Sequence, residues 1–125
     1  MNIIDSSCWL EYLMASEIGV NIAAVIENPN ELIVPTITLY EVYKKLSTEK
    51  NEDYAQEVIA YMQTGTVIEL TADLSINAAD VSRKNKLAMA DSIVYATGLH
   101  YSALIYTCDK HFKDLPNVRY YPKAD

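Results

Sequence analysis

A chain of 125 residues, half of them hydrophobic, has room for one compact domain with its own core and is too short for two ordinary ones. The net charge of −7 counts against a broad basic face for nucleic acid. Every apolar run is broken within a few residues by charge or polarity, which excludes a membrane-spanning helix, and Met1 to Asp5 lacks the basic-then-apolar order of a secretion signal, so a cytoplasmic protein is expected.

Met1 to Ile4 reads as a first strand. Ser6 to Met14 reads as a helix, with Trp9 and Leu13 one turn apart. Ile18, Ile22, Val25 and Ile26 predict a second helix, stopped at Asn28-Pro29-Asn30. Glu31 to Val34 is a second strand, and Leu39, Val42, Tyr43 and Leu46 fall at the i, i+3, i+4, i+7 spacing of a helix. Tyr54, Val58, Tyr61 and Met62 repeat that spacing, with Gly65 placed as a C-cap. Thr66 to Leu70 is a third strand, and a helix follows from about Ala72 to Lys86 with Thr71 as N-cap. Met89, Ile93, Ala96, Thr97 and His100 mark one apolar face of a further helix. Ala103 to Tyr106 and Val118 to Tyr121 complete five strands. Strands alternating with helices predict an α/β fold, a parallel sheet of about five strands flanked by helices. No repeat, low-complexity tract or boundary divides residues 1–125.

Four acids stand out by position. Asp5 directly follows the first strand and Asp109 closely follows the fourth. Glu41 lies early in the helix after the second strand, and Asp91 near the start of the helix that feeds the fourth. In a parallel sheet all four project toward the carboxyl edge, where open α/β folds place their sites. Each has an ordinary explanation alone: Asp5 and Asp109 as helix N-caps, Glu41 in a capping box with Thr38, Asp91 at the positive end of a helix dipole. Together they repel one another unless something positive sits between them. Carboxylates without a His or Cys partner suit a hard cation such as Mg²⁺ or Mn²⁺. Such ions hold a phosphodiester, activate water and stabilise the leaving oxygen, so no side-chain nucleophile is needed. Asp5, Glu41, Asp91 and Asp109 are therefore the candidate metal-binding and catalytic residues, with Ser6 and Thr107 as auxiliary polar groups.

No Lys or Arg precedes Lys44. The cations then cluster near the acids, and Lys44, Lys45, Arg83, Lys84 and Lys110 are candidates for substrate binding, set against the plainer reading of solvated helix faces. Cys8 and Cys108 lack metal-ligand spacing and read as two buried thiols in a reducing compartment. His100 reads as a packed or partly exposed residue and His111 as an exposed loop residue. Tyr40 and Tyr95 flank acids at the rim.

These residues carry a family resemblance. The opening Ile4-Asp5-Ser6-Ser7-Cys8-Trp9-Leu10-Glu11-Tyr12-Leu13 is similar to the strand–Asp–Ser/Thr start of PIN-domain ribonucleases, most of all the VapC toxins of type II toxin–antitoxin pairs. Val34-Pro35-Thr36-Ile37-Thr38-Leu39-Tyr40-Glu41-Val42 resembles the segment bearing that family's Glu. Leu87-Ala88-Met89-Ala90-Asp91-Ser92-Ile93-Val94-Tyr95-Ala96-Thr97 resembles its Ala-Asp helix. Leu104-Ile105-Tyr106-Thr107-Cys108-Asp109-Lys110-His111-Phe112 resembles its Thr-x-Asp-x-x-Phe end. The resemblance covers the chain in order. It implies a metal-dependent endoribonuclease acting on structured RNA, often transfer RNA, as a homodimer held in check by an antitoxin protein. The sequence does not separate a toxin from a housekeeping RNA-processing nuclease, while a non-catalytic binding domain of the same fold is disfavoured because all four acids are present. A phospho-acceptor receiver domain is disfavoured, since no pair of acids sits at the end of the first strand.

Overall fold

The computed structural model describes residues 1–123. Five short strands alternate with six helices: β1 (Asn2–Ile4), α1 (Ser6–Leu13), α2 (Glu17–Ile26), β2 (Ile33–Pro35), α3 (Thr36–Glu49), α4 (Glu52–Met62), β3 (Thr66–Ile68), α5 (Ala72–Asn85), α6 (Met89–His100), β4 (Leu104–Thr107) and β5 (Val118–Tyr120). Two single turns of 3-10 helix, Pro29–Glu31 and Lys110–Phe112, precede β2 and follow β4. All strand pairs are parallel. β1, β4 and β5 form one sheet in that order, β2 and β3 a second, and a lone bridge between Asn2 and Leu32 joins them into the order β3-β2-β1-β4-β5.

The strands are buried on both faces. Ile3, Ile33 and Ile105 enter one buried cluster, while Ile4, Val34 and Tyr106, each one residue further along, enter the other. That is the two-residue alternation of an extended chain with apolar partners on either side, so the sequence shows a continuous apolar run rather than an alternating one. α1 to α4 cover the first face through Trp9, Ile22, Ile26, Val42, Leu46, Val58 and Met62. α6 covers the second with Val94 and Tyr95, joined there by Phe112. α5 packs outside α6, Leu74 and Ala78 against Ile93 and Ala96. No single helix among the described residues is long and apolar enough to cross a membrane.

Element order and type follow the sequence expectation, and three local readings change. Gly65 is not a C-cap: α4 is capped by Gln63 and no glycine has positive φ. A Cβ at Gly65 would lie 3.1 Å from Val34 Cγ2 and 3.2 Å from Leu32 Cβ, so glycine serves the close approach of the chain to β2. The capping box at Thr38 does not form either. Pro35 is the N-cap of α3, and Thr38 sits inside the helix with a buried hydroxyl that has no hydrogen-bond partner. Lastly, α6 has no single apolar face. Ser92 to Gly98 are all buried because the helix lies between the sheet and α5, whereas Met89 and His100 at its ends are exposed. The Thr71 N-cap is present, its hydroxyl accepting from the Leu74 N–H at 3.1 Å.

Candidate functional site

β1 and β4 lie side by side, so the turns that leave their carboxyl ends are neighbours. The Asp5 N–H extends the ladder by donating to the Tyr106 carbonyl at 2.9 Å. Asp5 occupies the N-cap position of α1 without capping it: its side chain makes no helix-capping hydrogen bond. Instead, its buried carboxylate accepts from Thr107 Oγ1 at 2.8 Å and from Ser7 Oγ at 3.0 Å, both on Oδ2. These hydroxyls are themselves held by the backbone of the second turn. The Asp109 N–H donates to Thr107 Oγ1 at 3.0 Å and the Cys108 N–H to Ser7 Oγ at 3.0 Å. A chain of four hydrogen bonds thus ties the β1–α1 turn to the turn after β4 and fixes Asp5 between them.

The other acids approach from three further elements. Glu41 projects half-buried from the second turn of α3, and Asp91 half-buried from the first turn of α6. Asp109 caps the Lys110–Phe112 turn, accepting from the His111 N–H at 2.9 Å. One ligand atom each from Asp91, Asp109 and His111 lie within 4.8 Å of one another, with His111 Nδ1 2.9 Å from Asp109 Oδ1.

The acids also sense one another electrically. Burial raises the Asp5 carboxyl above its ordinary range, the Thr107 and Ser7 hydroxyls and the Ser6 amide pull it back, and Asp109 pushes it up further. Burial raises Glu41, Asp5 and Asp109 add to the rise, and the Ser6 hydroxyl opposes it. Asp91 is pushed up to about 7, first by burial and then by Asp109, Asp5 and Glu41. Ion pairs of Lys and Arg among the described residues go to Glu49 and Asp80, away from this cluster. Carboxylates crowded in this way hold protons that a divalent ion would replace, and carboxylate oxygens with one imidazole nitrogen are a donor set for a divalent metal ion.

The sequence matches the PIN-domain family over residues 3–118. The chain belongs to that family. No curated protein sequence gives a significant match. Among solved structures, this PIN domain is similar in fold to a toxin–antitoxin complex from Klebsiella pneumoniae, at 18% identity and a TM-score of 0.77, over 95% of this chain and 96% of that one. It is likewise similar to Mycobacterium tuberculosis VapC20, a toxin that cleaves the sarcin–ricin loop, at 17% identity and a TM-score of 0.76, over 93% of this chain and 95% of that one. VapBC-1 from nontypeable Haemophilus influenzae follows at 18% identity and a TM-score of 0.69, over 96% of each chain. Identities this low establish a shared fold.

Two residues of the PIN-domain site escape the sequence reading. Ser7 holds Asp5 together with Thr107, whereas Ser6 acts on Glu41 and through its own amide on Asp5. The turn after β1 points the second residue past Asp5 back at the carboxylate, and only the closure of β4 beside β1 reveals which serine faces it. His111 joins Asp91 and Asp109, so the donors around them include a nitrogen. Its signal was its place two residues after Asp109. The cations are spread more widely. Lys44 and Lys45 line an open groove with Tyr40 and Glu41, Lys44 Nζ lying 5.9 Å from the Tyr40 ring centroid. Lys45 pairs with Glu49 and Arg83 with Asp80. Lys84 lines a different groove, with Ala96, Leu99 and His100, while exposed Lys110 immediately follows Asp109. Tyr95 is buried and donates to the Pro116 carbonyl, so it belongs to the core rather than the rim, while Tyr40 is 60% exposed.

Proposed function

We propose that this PIN domain is a Mg²⁺- or Mn²⁺-dependent endoribonuclease of the VapC kind, the toxin of a toxin–antitoxin pair, with Asp5, Glu41, Asp91 and Asp109 as its metal-binding catalytic acids. The observation that carries the reading is the convergence of four carboxylates from four separate elements: burial raises Asp5, Glu41 and Asp91, Asp109 raises all three further, and Asp5 adds to the rise of Glu41 and Asp91. A fold has no structural use for such a cluster, because repulsion and desolvation destabilise it. Similarity in fold to a toxin that cleaves the sarcin–ricin loop and to a toxin–antitoxin complex supports RNA as the substrate class and an antitoxin as the partner.

When bound, the divalent ion supplies Lewis-acid chemistry: charge stabilisation at the scissile phosphodiester and activation of water for attack. The protein's own residues prepare for it. Ser7 and Thr107 both donate to Oδ2 of Asp5, which leaves Oδ1 clear of these two side chains and keeps the buried carboxylate from turning. Asp91, its carboxyl pushed up to about 7, carries a proton part of the time at neutral pH and would give it up on holding a cation. Lys44 and Tyr40, beside Glu41, offer a phosphate contact and an aromatic face for a base. An antitoxin segment has a groove of ≈ 670 Å³ available between α1 and the α3–α4 corner, lined by Leu10, Leu13, Met14, Leu46 and Tyr54 and rimmed by charges of both signs.

Cleavage of a pool of structured RNAs, transfer RNA included, tests the reading with wild type and Asp91→Asn side by side in Mg²⁺ or Mn²⁺. Cutting by wild type that vanishes in the variant and in chelator is expected. Equal cutting by both proteins rejects the four-acid site, and absence of cutting by wild type across the pool and both metals moves the assignment to a binding domain.

A further inference from the structure

The core behind the four acids contains a pair of groups for which the catalytic reading has no use. Cys8, in the first turn of α1, and Cys108, between Thr107 and Asp109, are both buried and unbridged, and their sulfurs lie 3.5 Å apart across one hundred residues of sequence. Each stands inside the framework of the site. The Cys8 N–H donates to the Asp5 carbonyl at 3.0 Å, and the Cys108 N–H donates to Ser7 Oγ at 3.0 Å. The two sulfurs are in direct contact on the two turns that carry Asp5 and Asp109, so a bond between them would join those turns covalently.

We propose that Cys8 and Cys108 are an oxidative modification site, closing into a reversible disulfide that weakens metal binding at the acidic cluster. The control of metal binding rests on the four-acid reading; formation of the bond does not. A disulfide needs its sulfurs at about 2.05 Å, so the gap must shrink by roughly 1.5 Å. The thiols sit on a helix turn and just past a strand end, both held by backbone hydrogen bonds, so whatever part of the movement rotation of the two side chains does not supply passes into the backbone around Asp5, Ser7, Thr107 and Asp109. The links there are single hydrogen bonds of 2.8 to 3.0 Å, which such a displacement strains.

The oxidant is a peroxide. One thiol sulfur attacks a peroxide oxygen, the O–O bond breaks, and a sulfenic acid and water form. The second sulfur then attacks the sulfenic sulfur, the S–O bond breaks, and its oxygen leaves as a second water. The peroxide is reduced by two electrons, the two thiols supply them, and both S–H protons end in water. A dithiol reverses the bond by exchange and is itself oxidised to a cyclic disulfide.

The test uses reduced wild-type protein treated with hydrogen peroxide, with free thiols counted after denaturation, intact mass measured, and Mn²⁺ affinity read by electron paramagnetic resonance of free Mn²⁺. Loss of both thiols together, a mass lower by two hydrogens, and Mn²⁺ binding weaker by ~10-fold or more are expected, all restored by dithiothreitol. The Cys8→Ala/Cys108→Ala double variant is expected to bind Mn²⁺ like reduced wild type before and after peroxide. Persistence of both thiols, or oxygen adducts on one cysteine alone, overturns the cross-link. A cross-link that leaves Mn²⁺ affinity unchanged overturns the control, as does equal loss of affinity in the double variant. Reduced wild type that binds no Mn²⁺ rejects the four-acid reading and the control with it, while the thiol count still judges the bond by itself.

Discussion

At the scale of single residues, Asp91 is where stability and chemistry oppose each other. Its carboxyl is pushed up to about 7 from an ordinary 3.8. Between those values the folded, metal-free protein keeps a proton that the unfolded chain releases. Stability therefore falls as pH rises from about 4 through 7 and levels off above it. Asp91→Asn removes the repulsion and keeps the shape. The metal-free variant is expected to be more stable than wild type at pH 8 by about 1–2 kcal/mol, a figure discounted for solvent around a half-buried carboxyl, with little difference at pH 4. Thermal melts of both proteins in chelator at the two pH values check this. RNA cleavage by the variant is expected to fall at least ~100-fold. A variant less stable than wild type at pH 8 would mean that Asp91 is held by favourable contacts.

Thr107 poses the converse case. Its hydroxyl does the most to lower the Asp5 carboxyl against burial. Thr107→Val keeps the volume, strips the buried carboxylate of one donor and leaves the Asp109 N–H without its acceptor. A loss of about 1–3 kcal/mol in denaturant unfolding is expected, together with a further rise of the Asp5 pKa followed by carbon-detected NMR titration. Ser7→Ala is expected to act in the same direction and less strongly, since its hydrogen bond to Asp5 is longer, 3.0 Å against 2.8 Å, and lowers the carboxyl less.

At the scale of elements, the sharp corner between α1 and α2 rests on one glycine. The two helices are bent by 108°, and a Cβ at Gly19 would come within 2.3 Å of the Glu11 carbonyl oxygen and 2.7 Å of Tyr12 Cα. Those are backbone atoms that cannot swing aside. Gly19→Ala is expected to cost about 2–3 kcal/mol, read as a lowered denaturation midpoint with an unchanged slope, even though alanine is the better helix former at an unconstrained position. Elements of this kind show how far the sequence can be read. Strand and helix order is legible because apolar runs and helical spacing are local signals. The error at α6 arose because a helix enclosed between a sheet and a second helix loses the one-sided pattern on which such readings depend. The error at Thr38 arose because Pro35, with its fixed φ and missing N–H, starts α3 three residues earlier than the capping pattern implies. The candidate site was legible at its acids, which sit beside strand and helix ends. Ser7 and His111 were hidden because their roles depend on contacts across the neighbouring turn.

At the scale of the whole molecule, a net charge of −7 must be reconciled with the polyanionic substrate proposed above. The fold distributes its cations unevenly. Lys44 and Lys45 share a groove with Glu41, whereas Arg83 is bound to Asp80 and Lys84 faces the groove between α5 and α6. On the proposed function, an RNA strand entering the acidic centre would have a cationic approach along α3 and none of equal quality along α5. Each phosphate contact adds to the slope of log K against log salt by slightly less than one, so few contacts mean a shallow slope. With Asp91→Asn as a non-cutting background, Lys44→Ala/Lys45→Ala is expected to weaken RNA binding about 10-fold at low salt and to flatten the salt dependence. Arg83→Ala/Lys84→Ala is expected to change affinity less than about 2-fold: each pair has one cation already held by a surface carboxylate, Lys45 by Glu49 and Arg83 by Asp80, so the contrast rests on Lys44, which shares a groove with Glu41, against Lys84, which lines a different groove with Leu99 and His100. Filter binding of one structured RNA across a salt series separates the two tracks. Equal losses from both pairs would place RNA across the end of α5 as well, and the substrate would then span the acidic centre instead of entering from one side.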